Sequence, residues 1–108
     1  MQQSDFDIGA ETAALTAGHH DIGAITSFVG TVPGAVHGRA LATMTLEHYP
    51  GMTERAMAAI AAEAGRRWAL LGCTLVHRVG PLRPGDNIVL VLAAASHRQP
   101  ALEATAFL

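Results

Sequence analysis

The apolar positions of this chain change period several times, and each change marks an element. Residues 11–17 are a short alanine-rich stretch stopped by Gly18, which predicts a brief helix. Over 22–32, Ile22, Ile25, Phe28, Val29 and Val32 stand among small residues, as in a strand. The run Pro33-Gly34-Ala35-Val36-His37-Gly38 then breaks the pattern in the manner of a loop. Leu41, Met44 and Leu46 restore it and predict a second strand over 39–49. After Pro50-Gly51 the period becomes helical. Between Met52 and Trp68, the residues Ala56, Met57, Ile60, Ala64 and Trp68 fall within one arc, while Glu54, Arg55 and Arg66 point elsewhere. A third strand is predicted over 72–79. Pro81-Leu82-Arg83-Pro84-Gly85-Asp86 reads as a turn built from residues that fix or free φ. Residues 87–95 are nearly all apolar, so this fourth strand is expected to be central and covered on both faces. A last helix is predicted over 96–108, with Pro100 in its first turn.

The order α-β-β-α-β-β-α implies a single α+β domain over 1–108, with helices packed on a largely antiparallel sheet. Half of the 108 residues are apolar and 15% are charged, which suits one well-filled core. The longest apolar run, 88–95, is strand-sized, so no membrane partner is expected. Met1-Gln2-Gln3-Ser4-Asp5 lacks the charged-then-apolar plan of a secretory signal. The lone cysteine, Cys73, excludes an internal disulfide framework and fits a reducing, cytoplasmic setting. A net charge of −2 argues against general nucleic-acid binding. All seven basic residues are arginine, so lysine chemistry is absent from these residues.

Ser96-His97-Arg98 is the cluster with the most chemistry. It falls where a buried strand gives way to a helix start, where backbone N–H groups and the helix dipole favour anions. Arg98 adds a planar charge suited to phosphate or carboxylate, and His97 is a side-chain type that moves protons near neutral pH. The alternative is that Ser96 or Gln99 caps the helix while His97 and Arg98 face solvent. The six histidines, His19, His20, His37, His48, His77 and His97, show no metal-ligand spacing. Cys73 and His77 would share a strand face without a third ligand, so no metal is expected, and Cys73 reads as a structural thiol. In Leu46-Glu47-His48-Tyr49-Pro50-Gly51-Met52, Glu47 and His48 point to opposite faces, which places one of them near the core or an interface. Ordinary strand-end hydrogen bonding is the plainer account of both. Arg66-Arg67-Trp68 is either a basic patch or a helix C-terminus with favourable dipole placement.

Together these pieces resemble the large subunit of molybdopterin synthase. Gly23-Ala24-Ile25-Thr26-Ser27-Phe28-Val29-Gly30-Thr31-Val32 looks like that family's first core strand, and Leu46 to Met52 like its most distinctive signature. His77-Arg78-Val79-Gly80, Pro84-Gly85-Asp86 and Ser96-His97-Arg98 follow in order, and the likeness runs over about 21–108. The resemblance implies an α+β protein that forms a homodimer, with a small ubiquitin-like subunit at each end. That subunit's thiocarboxylated Gly-Gly tail supplies two sulfurs in turn to cyclic pyranopterin monophosphate, giving the dithiolene of molybdopterin, with no further cofactor. It also implies His97 as the catalytic residue, with His97, Arg98, Thr31, Val32 and Pro33 binding the substrate.

The chain departs from the family pattern in two places. Relatives carry a basic residue at Thr31 and an arginine at Pro33, and both charges are missing here; Arg39 is six residues beyond Pro33. Relatives also continue past Leu108 to lysines that bind substrate and take part in the covalent chemistry. The sequence is therefore expected to be cut short of the family's full length. Residues 1–108 by themselves are expected to be inactive. The alternative is a non-catalytic scaffold that keeps the dimer and docking surfaces. A generic small-molecule-binding α+β domain remains if the likeness is accidental.

Overall fold

The computed structural model describes residues 1–36, 39–40, 44–46 and 51–108. In chain order the elements are α1 (Ile8–Thr16), β1 (Ala24–Thr31), β2 (Ala35–Val36), β3 (Arg39–Ala40), β4 (Met44–Leu46), α2 (Met52–Trp68), β5 (Gly72–His77), β6 (Gly80–Leu82), β7 (Asn87–Ala95) and α3 (Arg98–Phe107). The apolar run predicted to be central is β7, which lies between β1 and β5 and is antiparallel to both. Leu90, Leu92 and Ala93 to Ala95 are fully buried. Full burial of a leucine side chain contributes about 1.5–3 kcal/mol, so this strand anchors the domain.

Register decides which residues meet which helix, because directly paired residues share a face. Thr26 and Cys73 both pair with Ala93, and Phe28 and Leu75 both pair with Val91. That face carries α2 and α3, with the Thr26 hydroxyl donating to the Ala101 carbonyl at 2.8 Å. Ala101 and Ala104 are fully buried. Such short side chains let α3 lie close to β1 and β7, which it contacts. On the opposite face, Val76, Leu90 and Leu92 form a cluster with Phe6, and Leu15 of α1 and Val29 pack against it. The sheet is thus covered on both sides, as its apolar central strand requires.

Several expectations change in detail. The first helix starts at Ile8, not at residue 11, because the Asp7 carboxylate caps it by accepting from the Ala10 N–H at 3.0 Å. The strand expected over 39–49 is two short strands, β3 pairing with β2 and β4 pairing with β6; Leu41 to Thr43 and Glu47 to Pro50 lie outside the described residues. The loop expected over 33–38 contains β2, while His37 and Gly38 also lie outside. The turn expected over 81–86 begins later, since Pro81 and Leu82 belong to β6. Proline is tolerated there because β6 pairs with β4 alone among the described residues, so a missing N–H falls on an edge. The turn proper is closed by the Asp86 N–H donating to the Arg83 carbonyl at 2.9 Å, with Gly85 at φ 89°. β5 ends at His77, and Arg78 instead pairs with Gln2 in a parallel bridge.

The arc of α2 is only partly covered. Ala64 is buried, Met57 and Trp68 are half-buried, and Ala56 and Ile60 are exposed. The helix approaches α3 with its C-terminal half. Nearer its N-terminus it stands off from β5, leaving a cavity of about 290 Å³ between Met57, Ala61 and Leu75.

Candidate functional site

The site is built where β7 ends. Ala95 is fully buried, and the next residues, Ser96 to Gln99, are exposed. The turn is held against β1 by Gly23, whose N–H donates to the Ala95 carbonyl at 2.9 Å. A Cβ on Gly23 would fall 2.0 Å from the Ser96 carbonyl oxygen, so only glycine permits this approach. His97 is the N-cap of α3, in extended conformation, and no side chain caps the helix. Neither Ser96 nor Gln99 therefore takes the capping role that the plainer account assigned to them. The Ser96 hydroxyl and His97 Nδ1 are hydrogen bonded at 3.0 Å. The first turn of α3 contains no acidic residue, so Arg98 sets its charge.

His97 and Ser96 open onto a cavity of about 370 Å³ whose far wall is the end of α2. That wall is Arg67, Trp68 and Ala69, with Ala69 closing the helix at φ 49°, ψ 49°. Trp68 Nε1 donates to Glu103 at 2.9 Å, and the Gln99 amide donates to the other carboxylate oxygen at 3.1 Å. The Gln99 bond, and then the Trp68 bond, hold the Glu103 carboxyl below its ordinary range. Trp68 also meets Phe107, with ring centroids 5.2 Å apart and planes tilted by 55°. The Arg67 guanidinium carbon lies 4.5 Å from the Trp68 centroid and 5.0 Å from that of Phe107.

Thr31, Val32 and Pro33 occupy the opposite end of the sheet. Ala24 pairs with Ala95 beside His97, whereas Thr31 pairs with Asn87. Seven strand steps separate these pairs, roughly 23 Å at ~3.3 Å per residue. Thr31 and Pro33 are exposed. Val32 is 2% exposed, its N–H donates to the Asp86 carbonyl, and its own carbonyl accepts from the Gly85 N–H. Val32 can therefore shape this loop but not reach a ligand with its side chain. One copy of the chain does not bring the two groups together.

The sequence matches the MoaE protein family model over residues 1–108. The chain belongs to the MoaE family. It is 54% identical to the molybdopterin synthase catalytic subunit of Mesorhizobium japonicum over 108 residues, covering all of this chain and 67% of that one. It is 52% identical to the protein of the same name from Ralstonia nicotianae over 108 residues, covering 100% of this chain and 61% of that one. The chain thus spans roughly two thirds of the length of these relatives. Its fold matches the solved molybdopterin biosynthesis MoaE protein of Burkholderia ambifaria with a TM-score of 0.89 and 54% identity, covering 98% of this chain and 69% of that one.

For a MoaE-family chain the other sequence candidates are quiet. Cys73 is half-buried, and burial pushes its thiol up, which fits a structural role. His77 Nδ1 is bonded to the Arg78 carbonyl at 2.8 Å. Among the described residues no three His, Cys, Asp or Glu side chains converge on a point. Glu47 and His48 of the distinctive signature lie outside the described residues. Sequence reasoning missed the Trp68–Glu103–Gln99 network, in which the Trp68–Glu103 bond joins residues 35 apart. Only the i, i+4 spacing of Gln99 and Glu103 hinted at it.

Proposed function

We propose that this chain is the catalytic domain of a molybdopterin synthase large subunit, working in the cytoplasm. It converts cyclic pyranopterin monophosphate to molybdopterin with two sulfurs from a thiocarboxylated, ubiquitin-like small subunit. The observation that carries this reading is the match along all 108 residues to relatives named molybdopterin synthase catalytic subunit. The geometry supports it with suitable chemistry. Arg98 and the uncapped start of α3 offer positive potential for the phosphate of the substrate. His97, poised by the Ser96 hydroxyl, serves as the proton carrier that exchange of oxygen for sulfur requires.

The loop of Thr31 to Pro33 joins this site only in a homodimer. It lies at the far end of the sheet from His97, so a second copy must present it. With Thr31 and Pro33 uncharged, the loop contributes shape and backbone groups, and the positive charge falls to the arginines near α3.

Calorimetric titration of the chain with cyclic pyranopterin monophosphate, and separately with the small subunit, tests the reading. Saturable binding of both is expected. Binding of neither would remove the substrate and partner assignments together.

A further inference from the structure

We infer that Arg67 is an anion-binding residue of the His97 cavity, offering its guanidinium edge to the oxyanion of a small phosphate-bearing heterocycle. The inference deepens the proposed function and rests on it for the identity of that heterocycle.

The two arginines at the end of α2 behave differently. Arg66 donates to Glu63 at 2.7 Å, as a solvated helix pair does. Arg67 has no carboxylate partner among the described residues; its guanidinium lies over Trp68 at 4.5 Å and against Phe107 at 5.0 Å. Cation–π contacts of this kind do not consume N–H donors, so the guanidinium keeps donors for an oxyanion. The aromatic support is itself held, since Trp68 is bonded to Glu103 and Glu103 to Gln99. Glu103 lies in the same cavity, but its two oxygens already accept from Trp68 and Gln99. It orders the wall and makes no ion pair with Arg67, although its charge, kept by those two bonds, is one that an anion in this cavity has to overcome.

Arg67 lines the same cavity as Ser96 and His97. Its volume of about 370 Å³ lies in the range of roughly 300–1,000 Å³ typical of small-ligand sites. Trp68 and Pro100 give it apolar surface, as a flat heterocycle needs, and Arg67 and His97 give it donors. A terminal carboxylate on a Gly-Gly tail would use the same N–H groups, so the test separates the two sources.

Wild-type chain, Arg67→Gln and Arg66→Gln are titrated by calorimetry with cyclic pyranopterin monophosphate and with a short peptide ending in Gly-Gly. Loss of one charge-assisted contact predicts a roughly ten- to hundredfold weaker pterin complex for Arg67→Gln. Arg66→Gln, which changes net charge equally but lies outside the cavity, should match wild type. Thermal unfolding of both variants checks that the fold is retained. If only the peptide weakens, Arg67 still binds an oxyanion, and its source is the tail. If Arg67→Gln binds both ligands as wild type does, the inference is wrong while the proposed function stands. If wild type binds neither, the proposed function falls, and inorganic phosphate then tests Arg67 alone through the fluorescence of Trp68, the sole tryptophan. A phosphate response lost in Arg67→Gln supports the inference, and no response in wild type overturns it.

Discussion

At the scale of single residues, Arg98 carries the clearest expectation. It is exposed, it begins α3, and the first turn around it has no acid to compete for it. Arg98→Ala should leave thermal unfolding unchanged and weaken cyclic pyranopterin monophosphate binding by about 1.5–3 kcal/mol. An unchanged dissociation constant in calorimetry would place the anion elsewhere. Ala69 makes a different kind of prediction. It sits in the left-handed region at φ 49°, where a Cβ is strained and glycine is not. Ala69→Gly should therefore stabilise the domain by about 1 kcal/mol, and a lower melting temperature would refute the assignment of strain. The place of Ser96-His97-Arg98 at a strand-to-helix junction was legible in the sequence because its logic is local: an apolar strand ends, a helix begins, and the charge follows. Arg67 was legible only as part of a basic patch or as a helix end. Its aromatic support comes from its neighbour Trp68 and from Phe107, forty residues away, and no local pattern joins it to the second.

Among the elements, α2 and β7 have the bounds that the apolar pattern predicts, because each buries a run long enough to show its period. The strand expected over 39–49 was read less well. Apolar alternation identifies residues able to pair but not their partners, and here the pairing divides between β2 and β6. The same limit hid Phe6, a buried residue in a segment with no periodicity of its own. The link between α2 and α3 has a pH dependence that can be worked out. The Glu103 carboxyl is held below the ordinary value of 4.5 by Gln99 and Trp68, so its folded pKa is depressed. The link is then fully present above that ordinary value and is lost as pH falls through the folded pKa. Trp68 fluorescence should show a transition with a midpoint below 4.5 that disappears in Glu103→Gln. A transition that persists in that variant would mean that Trp68 senses another group.

For the whole molecule, the α+β class followed from the order of elements, but the distribution of the site did not. Motif order along the chain does not say which strand ends coincide, and the antiparallel pairing of β1 with β7 sets Thr31 to Pro33 opposite His97. If Thr31 to Pro33 serve the same substrate as His97, as proposed, a second copy has to present them, and light scattering should give twice the chain mass of 11.2 kDa at micromolar concentration. Assembly alone does not supply the covalent chemistry. By resemblance to the family, that chemistry uses lysine, whose amine can act as a nucleophile once burial lowers its pKa, a role arginine does not fill. Residues 1–108 contain no lysine. The remaining amine is the N-terminus, and Met1 lines the cavity between α2 and β5, not the one that holds His97. His97 could still move protons, but general acid–base help is typically worth only ~10²–10⁴-fold. A polypeptide of these 108 residues alone should therefore bind cyclic pyranopterin monophosphate yet form no molybdopterin in a single turnover with thiocarboxylated small subunit. Joining a relative's lysine-bearing tail after Leu108 should restore product. Turnover by the unextended polypeptide at a relative's rate would move the sulfur-transfer chemistry onto His97.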